Sequence, residues 1–140
     1  MNRIEHIIAN HRNREGPLLP ILHDIQAEFS YISEDAMRAV ATGLNITRAE
    51  VFGVVSFYHD FRQSPATTPI LKICRAEACQ ARGIEALVAD AEAASEGAVT
   101  LEATYCLGLC SVGPAAMTPD GKVHARLDGP ALKRLIGETR

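Results

Sequence analysis

The sequence predicts an α+β protein: an N-terminal helical bundle over residues 1–65, followed by an α/β domain over residues 66–140. Three observations carry this. Apolar residues of the first half recur at three-to-four spacing between recognisable caps, the helical period. The second half alternates short β-type runs with one such helical stretch and ends on another. Between them, Arg62-Gln63-Ser64-Pro65-Ala66-Thr67-Thr68-Pro69 has two prolines and no apolar pattern, the signature of a linker.

In the first half, Leu18, Leu22, Ile25 and Phe29 form an apolar stripe, with Pro17 and Pro20 at its start, where a missing N–H costs little. Ser33 is an N-cap, with Glu34 and Asp35 in the positive first turn of a helix burying Met37, Val40, Ala41 and Leu44. Gly43 lies near its end. Thr47 and Glu50 form a capping box, with Ile46 and Val51 as its hydrophobic staple. The helix they open carries Val51, Phe52, Val54 and Val55, apolar nearly all round, so it is expected to be buried. It runs into Phe57-Tyr58-His59-Asp60-Phe61-Arg62, a mixture of aromatics and charges that suits an interface or a domain junction. Tyr58 and Phe61 are expected to pack between the halves, and His59 and Asp60 to contact a partner.

In the second half, Ile70-Leu71-Lys72-Ile73 is a strand leading into Cys74. Ile84, Leu87, Val88, Ala91 and Ala94 mark an amphipathic helix, and Val99, Leu101, Ala103 and Tyr105 alternate with polar residues as a second strand. Ala115-Ala116-Met117 and Val123-His124-Ala125-Arg126 flank Pro119-Asp120-Gly121, a hairpin signal. Pro130 opens a last helix through Leu132, Leu135 and Ile136, with Gly137 expected to end it. Strand, helix, strand, strand, strand, helix is the order of a thioredoxin-like domain, with the first two strands parallel and joined by the crossover helix.

Composition narrows the function. The chain has 140 residues, 47% hydrophobic and 22% charged, with a formal net charge of −3, which argues against a strongly basic nucleic-acid or membrane-surface protein. Charges follow Met1 at once, without the apolar run of a secretory signal, and no stretch is long and apolar enough to span a bilayer. A cytoplasmic location is the expectation. All four cysteines fall between positions 74 and 110, and in a reducing compartment such clustering points to metal or redox chemistry rather than structural disulfides.

Their spacing is Cys74-x4-Cys79, then 26 residues, then Cys106-x3-Cys110. Parallel strands place Cys74 and Cys106 at the same carboxyl edge, where α/β sheets bind ligands, with Cys79 at the mouth of the crossover helix and Cys110 in the following loop. Two loops, each with two thiols, then face one point. Four thiolates suit a [2Fe-2S] cluster, two on each iron; a four-cysteine zinc site is the rival on spacing alone. Gly108 and Gly113 admit close backbone approach, and N–H groups from Leu107 to Val112 are placed to hydrogen-bond sulfur. Arg75 adds a cation that would favour a reduced cluster, and Glu77 sits in the same loop. The absence of C-x-x-C argues against thiol–disulfide exchange, and the five histidines are too dispersed to nominate a ligand.

At these residues the chain resembles the thioredoxin-like [2Fe-2S] subunits of NADH-linked complexes, the complex I 24-kDa type. The resemblance rests on Val54-Val55-Ser56-Phe57-Tyr58, the C-x4-C pair, and Cys106-Leu107-Gly108-Leu109-Cys110 followed by Pro114. Within that family, Tyr58-His59-Asp60-Phe61-Arg62 and Cys74-Arg75-Ala76-Glu77-Ala78-Cys79-Gln80 are most similar to the gamma subunit of NAD-dependent, molybdenum-containing formate dehydrogenase. The resemblance implies an electron-transfer subunit holding one [2Fe-2S] cluster on Cys74, Cys79, Cys106 and Cys110, inactive alone. It implies a flavin subunit binding FMN and NAD, and a large subunit with the molybdenum cofactor and further Fe–S clusters. The same part in an NAD-linked hydrogenase or respiratory complex I is the alternative.

Two readings from other classes remain: a zinc-stabilised module, and a DNA-binding sensor with Met37 to Phe57 as helix-turn-helix about Gly43-Leu44-Asn45-Ile46. The second is weakened by a recognition helix offering Arg48, Glu50 and then apolar residues, where base and phosphate contacts need basic and amide side chains.

Overall fold

The computed structural model describes residues 2–140. The chain divides into two compact units, Met1–Ala66 and Thr67–Arg140.

The first unit is helical: α1 (Arg3–His11), α2 (Leu18–Phe29), α3 (Glu34–Leu44) and α4 (Arg48–Phe57). Local chemistry sets the ends. Asn2 and Glu5 make a capping box on α1, Ser33 accepts from the Ala36 N–H on α3, and Thr47 and Glu50 make the expected box on α4. Asn45, in the left-handed region at φ 53°, ends α3 and turns the chain into α4. The core is Ile7, Ile8, Ile21, Leu22, Ile25, Ile32, Met37, Val40, Val51, Val55 and their neighbours. Helices α1 and α3 approach closely because Gly43 has no side chain: a Cβ there would lie 2.7 Å from Ile8 Cγ2.

Helix α4 departs from the expectation of all-round burial. Val51 and Val55 are buried, but Phe52 is 41% and Phe57 74% exposed. Only the stripe facing the other helices meets a core, and the remaining apolar positions lie outside it. Phe61 is buried in the helical unit's own core, edge-on to Tyr58 at 6.1 Å and tilted against His23 at 4.9 Å between ring centroids.

The second unit holds β1 (Ile70–Cys74), α5 (Glu77–Ala81), α6 (Ile84–Ser95), β2 (Thr100–Thr104), β3 (Ala116–Met117), β4 (Val123–His124) and α7 (Gly129–Thr139). The sheet order is β2-β1-β3-β4. Strands β1 and β2 are parallel in register from Ile70↔Thr100 to Cys74↔Thr104, as the intervening helix α6 requires, while β3 runs antiparallel to β1 and to β4. Leu71, Ile73, Ile84, Val88, Ala116, Leu132 and Ile136 form the centre of the core. The β3–β4 turn is tied by Asp120, whose carboxylate accepts from the Thr118 hydroxyl at 2.5 Å and pairs with Lys122 at 3.0 Å.

Helix α7 is capped by Asp128, which accepts from the Ala131 N–H at 2.8 Å, and Pro130 lies in its first turn. It continues through Gly137 to Thr139, past the expected stop. Glycine ends a helix chiefly by entering the left-handed region, and Gly137 is not among the residues with positive φ. Among the described residues no helix is long and apolar enough to cross a membrane.

Candidate metal centre

The parallel register sets the first relation between the cysteines. Cys74 is the last residue of β1 and pairs with Thr104, the last of β2; Cys106 follows two residues on. Both thus leave the sheet at its carboxyl edge, where the Cys106 N–H donates to Cys74 Sγ at 3.3 Å. Cys110 opens a single 3₁₀ turn, Cys110–Val112, and its sulfur lies 3.5 Å from that of Cys106. Cys79 lies in the short helix α5 rather than at the mouth of the crossover helix. Gly83, at φ +86°, separates α5 from α6, a conformation that glycine adopts without steric cost.

Burial divides the set by loop. Cys74 and Cys79 are each 2% exposed, whereas Cys106 and Cys110 are exposed. The second loop is shaped by unusual backbone: Cys106 sits at φ +81° and Gly108 at φ +77°. A non-glycine residue held there costs about 1–3 kcal/mol, strain that tends to collect at functional sites. That geometry lets the Gly108 N–H donate to Cys106 Sγ at 3.4 Å. Gly113 serves by its size, since a Cβ there would stand 3.1 Å from Cys79 Sγ.

These neighbours set the acidities. Burial pushes the Cys74 thiol up, but hydrogen bonds from the Ala76 and Cys106 N–H groups, the Cys79 thiol and the Leu107 N–H outweigh it, leaving Cys74 below its ordinary value. Cys79 is raised, first by burial and then by its hydrogen bond to Cys74, against a lowering contribution from the Ala115 N–H. Cys110 is raised by its hydrogen bond to Cys106 and by the charge there. Thiols that oppose one another's ionisation at such separations lose that conflict when a cationic centre takes them all as thiolates.

Arg75 does not stand free beside the sulfurs as the sequence suggested. Its guanidinium pairs with Glu85 through two contacts, one of them Nε to Oε1 at 2.9 Å, so a carboxylate offsets its charge. Glu77 is exposed in the first turn of α5. Two residues not singled out from the sequence hold the loops. Gln80 donates to the Arg75 carbonyl at 2.7 Å, and Arg82 donates to the Ser111 carbonyl at 3.2 Å. Each contact joins residues far apart along the chain or across a loop, where no periodic signal exists.

Among the described residues no three or more His, Cys, Asp or Glu side chains form a group able to hold a single metal ion. The thiols nonetheless form two linked pairs, Cys74 with Cys79 and Cys106 with Cys110. Paired thiolates under backbone N–H donors fit a cluster with two ligands on each iron. His11 pairs with Asp24 at 2.6 Å in the helical unit. A concavity of about 1010 Å³ lies in the helical unit and is lined by residues such as Leu18, Leu44, Val54 and Phe57, with no cysteine. As for DNA recognition, α3 and α4 do form a helix pair. The Arg48 side chain of α4 is tied to Glu34, and the exposed side chains beyond it include Phe52 and Phe57 rather than cations.

The sequence profile of the thioredoxin-like [2Fe-2S] ferredoxins matches residues 4–140. The chain belongs to that family.

Relatives of this chain include the E subunit of NADH-quinone oxidoreductase from Mycobacterium tuberculosis, 33% identical over 120 residues. That match covers 79% of this chain and 48% of the mycobacterial protein, so the chain spans about half the length of that relative. The HndA subunit of the NADP-reducing hydrogenase from Solidesulfovibrio fructosivorans is 26% identical over 89% of this chain and 78% of its own length. The E subunit of the Escherichia coli K12 NADH-quinone oxidoreductase is 27% identical over 95% of this chain and 85% of its own. Among solved structures, a chain of an NAD⁺-reducing [NiFe]-hydrogenase in the air-oxidised state superposes with a TM-score of 0.72 at 25% identity, covering 91% of this chain and 24% of that one. The family fold is thus the thioredoxin-like arrangement that the element order suggested.

Proposed function

We propose that Cys74, Cys79, Cys106 and Cys110 hold one [2Fe-2S] cluster and that the protein is an electron-transfer subunit of an NAD-linked oxidoreductase. The observation that carries this is the paired thiols at the carboxyl edge of the parallel strands, with Cys106 and Cys110 sulfurs 3.5 Å apart and N–H groups donating to sulfur. When bound, such a cluster takes up and releases one electron at a time. The chain's own residues supply the thiolates, orient them through the Cys106 and Gly108 N–H groups, and bury the Cys74–Cys79 side. The exposed Cys106–Cys110 side faces outward, where an electron partner has access.

Membership of the family, with relatives named as subunits of NADH-quinone oxidoreductase and NADP-reducing hydrogenase, supports the assembly part of the reading. So do the exposed aromatics Phe52, Phe57 and Tyr58, since apolar patches on a small soluble unit commonly mark partner contacts. The specific assignment proposed is the gamma-type subunit of a formate dehydrogenase, oxidising formate to CO₂ at a molybdenum subunit and reducing NAD⁺ at an FMN subunit. It rests on the likeness of Tyr58–Arg62 and Cys74–Gln80 to that subunit. The second reading, the same part in a hydrogenase or respiratory complex, is favoured by the relatives, a subunit of NADH-quinone oxidoreductase and one of NADP-reducing hydrogenase.

Purification of the native complex through this chain tests both. A formate-oxidising, molybdenum-containing assembly with an FMN subunit supports the first reading, and hydrogen- or quinone-linked activity supports the second. A chain that purifies without any flavin protein overturns the subunit role.

A further inference from the structure

We propose that Arg82 is a positioning residue for the cysteine centre, clamping the two cysteine loops together and providing the cation that biases the centre toward its reduced state. The inference rests on the cluster reading above. Arg82 caps α5, where its own N–H donates to the Cys79 carbonyl at 3.2 Å, so its backbone is placed relative to a ligand of the first pair. Its side chain crosses to the other loop, where Nη2 donates to the carbonyl of Ser111, next to Cys110, at 3.2 Å. On the way its Cδ passes 3.5 Å from the point a Gly113 Cβ would occupy, the same point that lies 3.1 Å from Cys79 Sγ. One side chain therefore links the first pair to the second across 29 residues of sequence.

Charge separates Arg82 from Arg75. Arg75 is matched by Glu85, whereas Arg82 has no ion pair with a carboxylate among the described residues. A guanidinium remains protonated under all ordinary conditions, so its positive charge stays at the second cysteine loop. Adding an electron makes a thiolate-ligated cluster more negative, and a nearby uncompensated cation favours that form. Arg82 thus does what the sequence suggested for Arg75.

Three variants separate the clamp from the charge. Arg82→Leu removes both, Arg82→Gln keeps a donor without charge, and Arg82→Lys keeps the charge. Each is purified as the full chain with its cluster. Two quantities are read: the rate of loss of the visible chromophore in excess chelator, and the one-electron midpoint followed by electron paramagnetic resonance at low salt. For Arg82→Leu, cluster loss speeds up roughly threefold to tenfold, and the reduced form is disfavoured by a similar factor. At 59 mV per tenfold for one electron, that lowers the midpoint by about 30–60 mV. Arg82→Gln recovers the lifetime but keeps the lowered midpoint, and Arg82→Lys recovers the midpoint. Parental midpoints in the Leu and Gln variants overturn the proposal, as does an equal shift in all three. A parental rate of cluster loss in Arg82→Leu overturns it as well. A parent protein with no cluster overturns the underlying reading and the proposal with it, whereas a loaded parent with unaffected variants overturns Arg82 alone.

Discussion

Replacing Gly113 with alanine separates the demands of a ligated sulfur from those of the bare fold. Gly113 has ordinary extended backbone, φ −64° and ψ 171°, so alanine meets no conformational strain there, even before Pro114. The obstacle is steric: the new methyl would stand 3.1 Å from Cys79 Sγ and 3.5 Å from Arg82 Cδ. Comfortable carbon contacts begin near 3.5 Å, so the sulfur must give way by several tenths of an ångström. A free thiol does so by a small rotation. A sulfur bonded to iron, in a set held by three other ligands, does not. The overpacking cost of about 1–3 kcal/mol therefore falls on the cluster-bound form, and at 1.4 kcal/mol per factor of ten the cluster is held about 5- to 150-fold less tightly. The assay compares iron and acid-labile sulfide retention in chelator with the thermal midpoint of the metal-free protein, parent against Gly113→Ala. A shortened cluster lifetime with a nearly parental metal-free melt is expected. An unchanged lifetime, or equal destabilisation of both forms, would refute the placement of Cys79 as a ligand packed on Gly113.

Other outcomes follow from features elsewhere in the fold. Gly43→Ala sets a methyl 2.7 Å from Ile8 Cγ2, between α1 and α3, and should cost about 1–3 kcal/mol of helical-unit stability in a urea titration; a parental midpoint would show that the helices can separate freely. Thr47→Ala removes the acceptor for the Glu50 N–H and should cost about 0.5–2 kcal/mol by the same titration, against an expectation of no change if α4 is held by packing alone. Asp120 is held down from 3.8 to about 2 by the Thr118 hydroxyl and Lys122. Because the folded value is depressed, the hairpin's contribution is present above about pH 4 and is lost as pH falls toward 2. A carboxyl resonance titrating near 3.8 in the folded protein would contradict that network.

The elements legible in the sequence are those with local causes. Ser33 and the Thr47–Glu50 box start helices through contacts three residues away, and they fall where the residue types place them. The parallel register follows from having α6 between β1 and β2, and that alone puts Cys74 and Cys106 at one edge. The rest depends on contacts that periodicity does not encode. Helix α5 spans only Glu77–Ala81, too short for an apolar period to repeat. The outward face of α4 is as apolar as a buried one, so composition could not reveal that Phe52 and Phe57 lie outside the core. Arg75 reads as a free cation in the sequence because Glu85 is ten positions away, across a loop and α5. Arg82 gives no signal there because its partner is a backbone carbonyl in another loop, and any residue type can supply one.

The most direct test of the central claim is metal and sulfide analysis of anaerobically purified protein, with electron paramagnetic resonance of the reduced sample, for the parent and for each single Cys→Ser variant. The account predicts about two irons and two acid-labile sulfides per chain, one paramagnetic species on one-electron reduction, and loss or alteration of that signal on replacing Cys74, Cys79, Cys106 or Cys110. Zinc without sulfide, or an unaltered signal in any of the four variants, would contradict it.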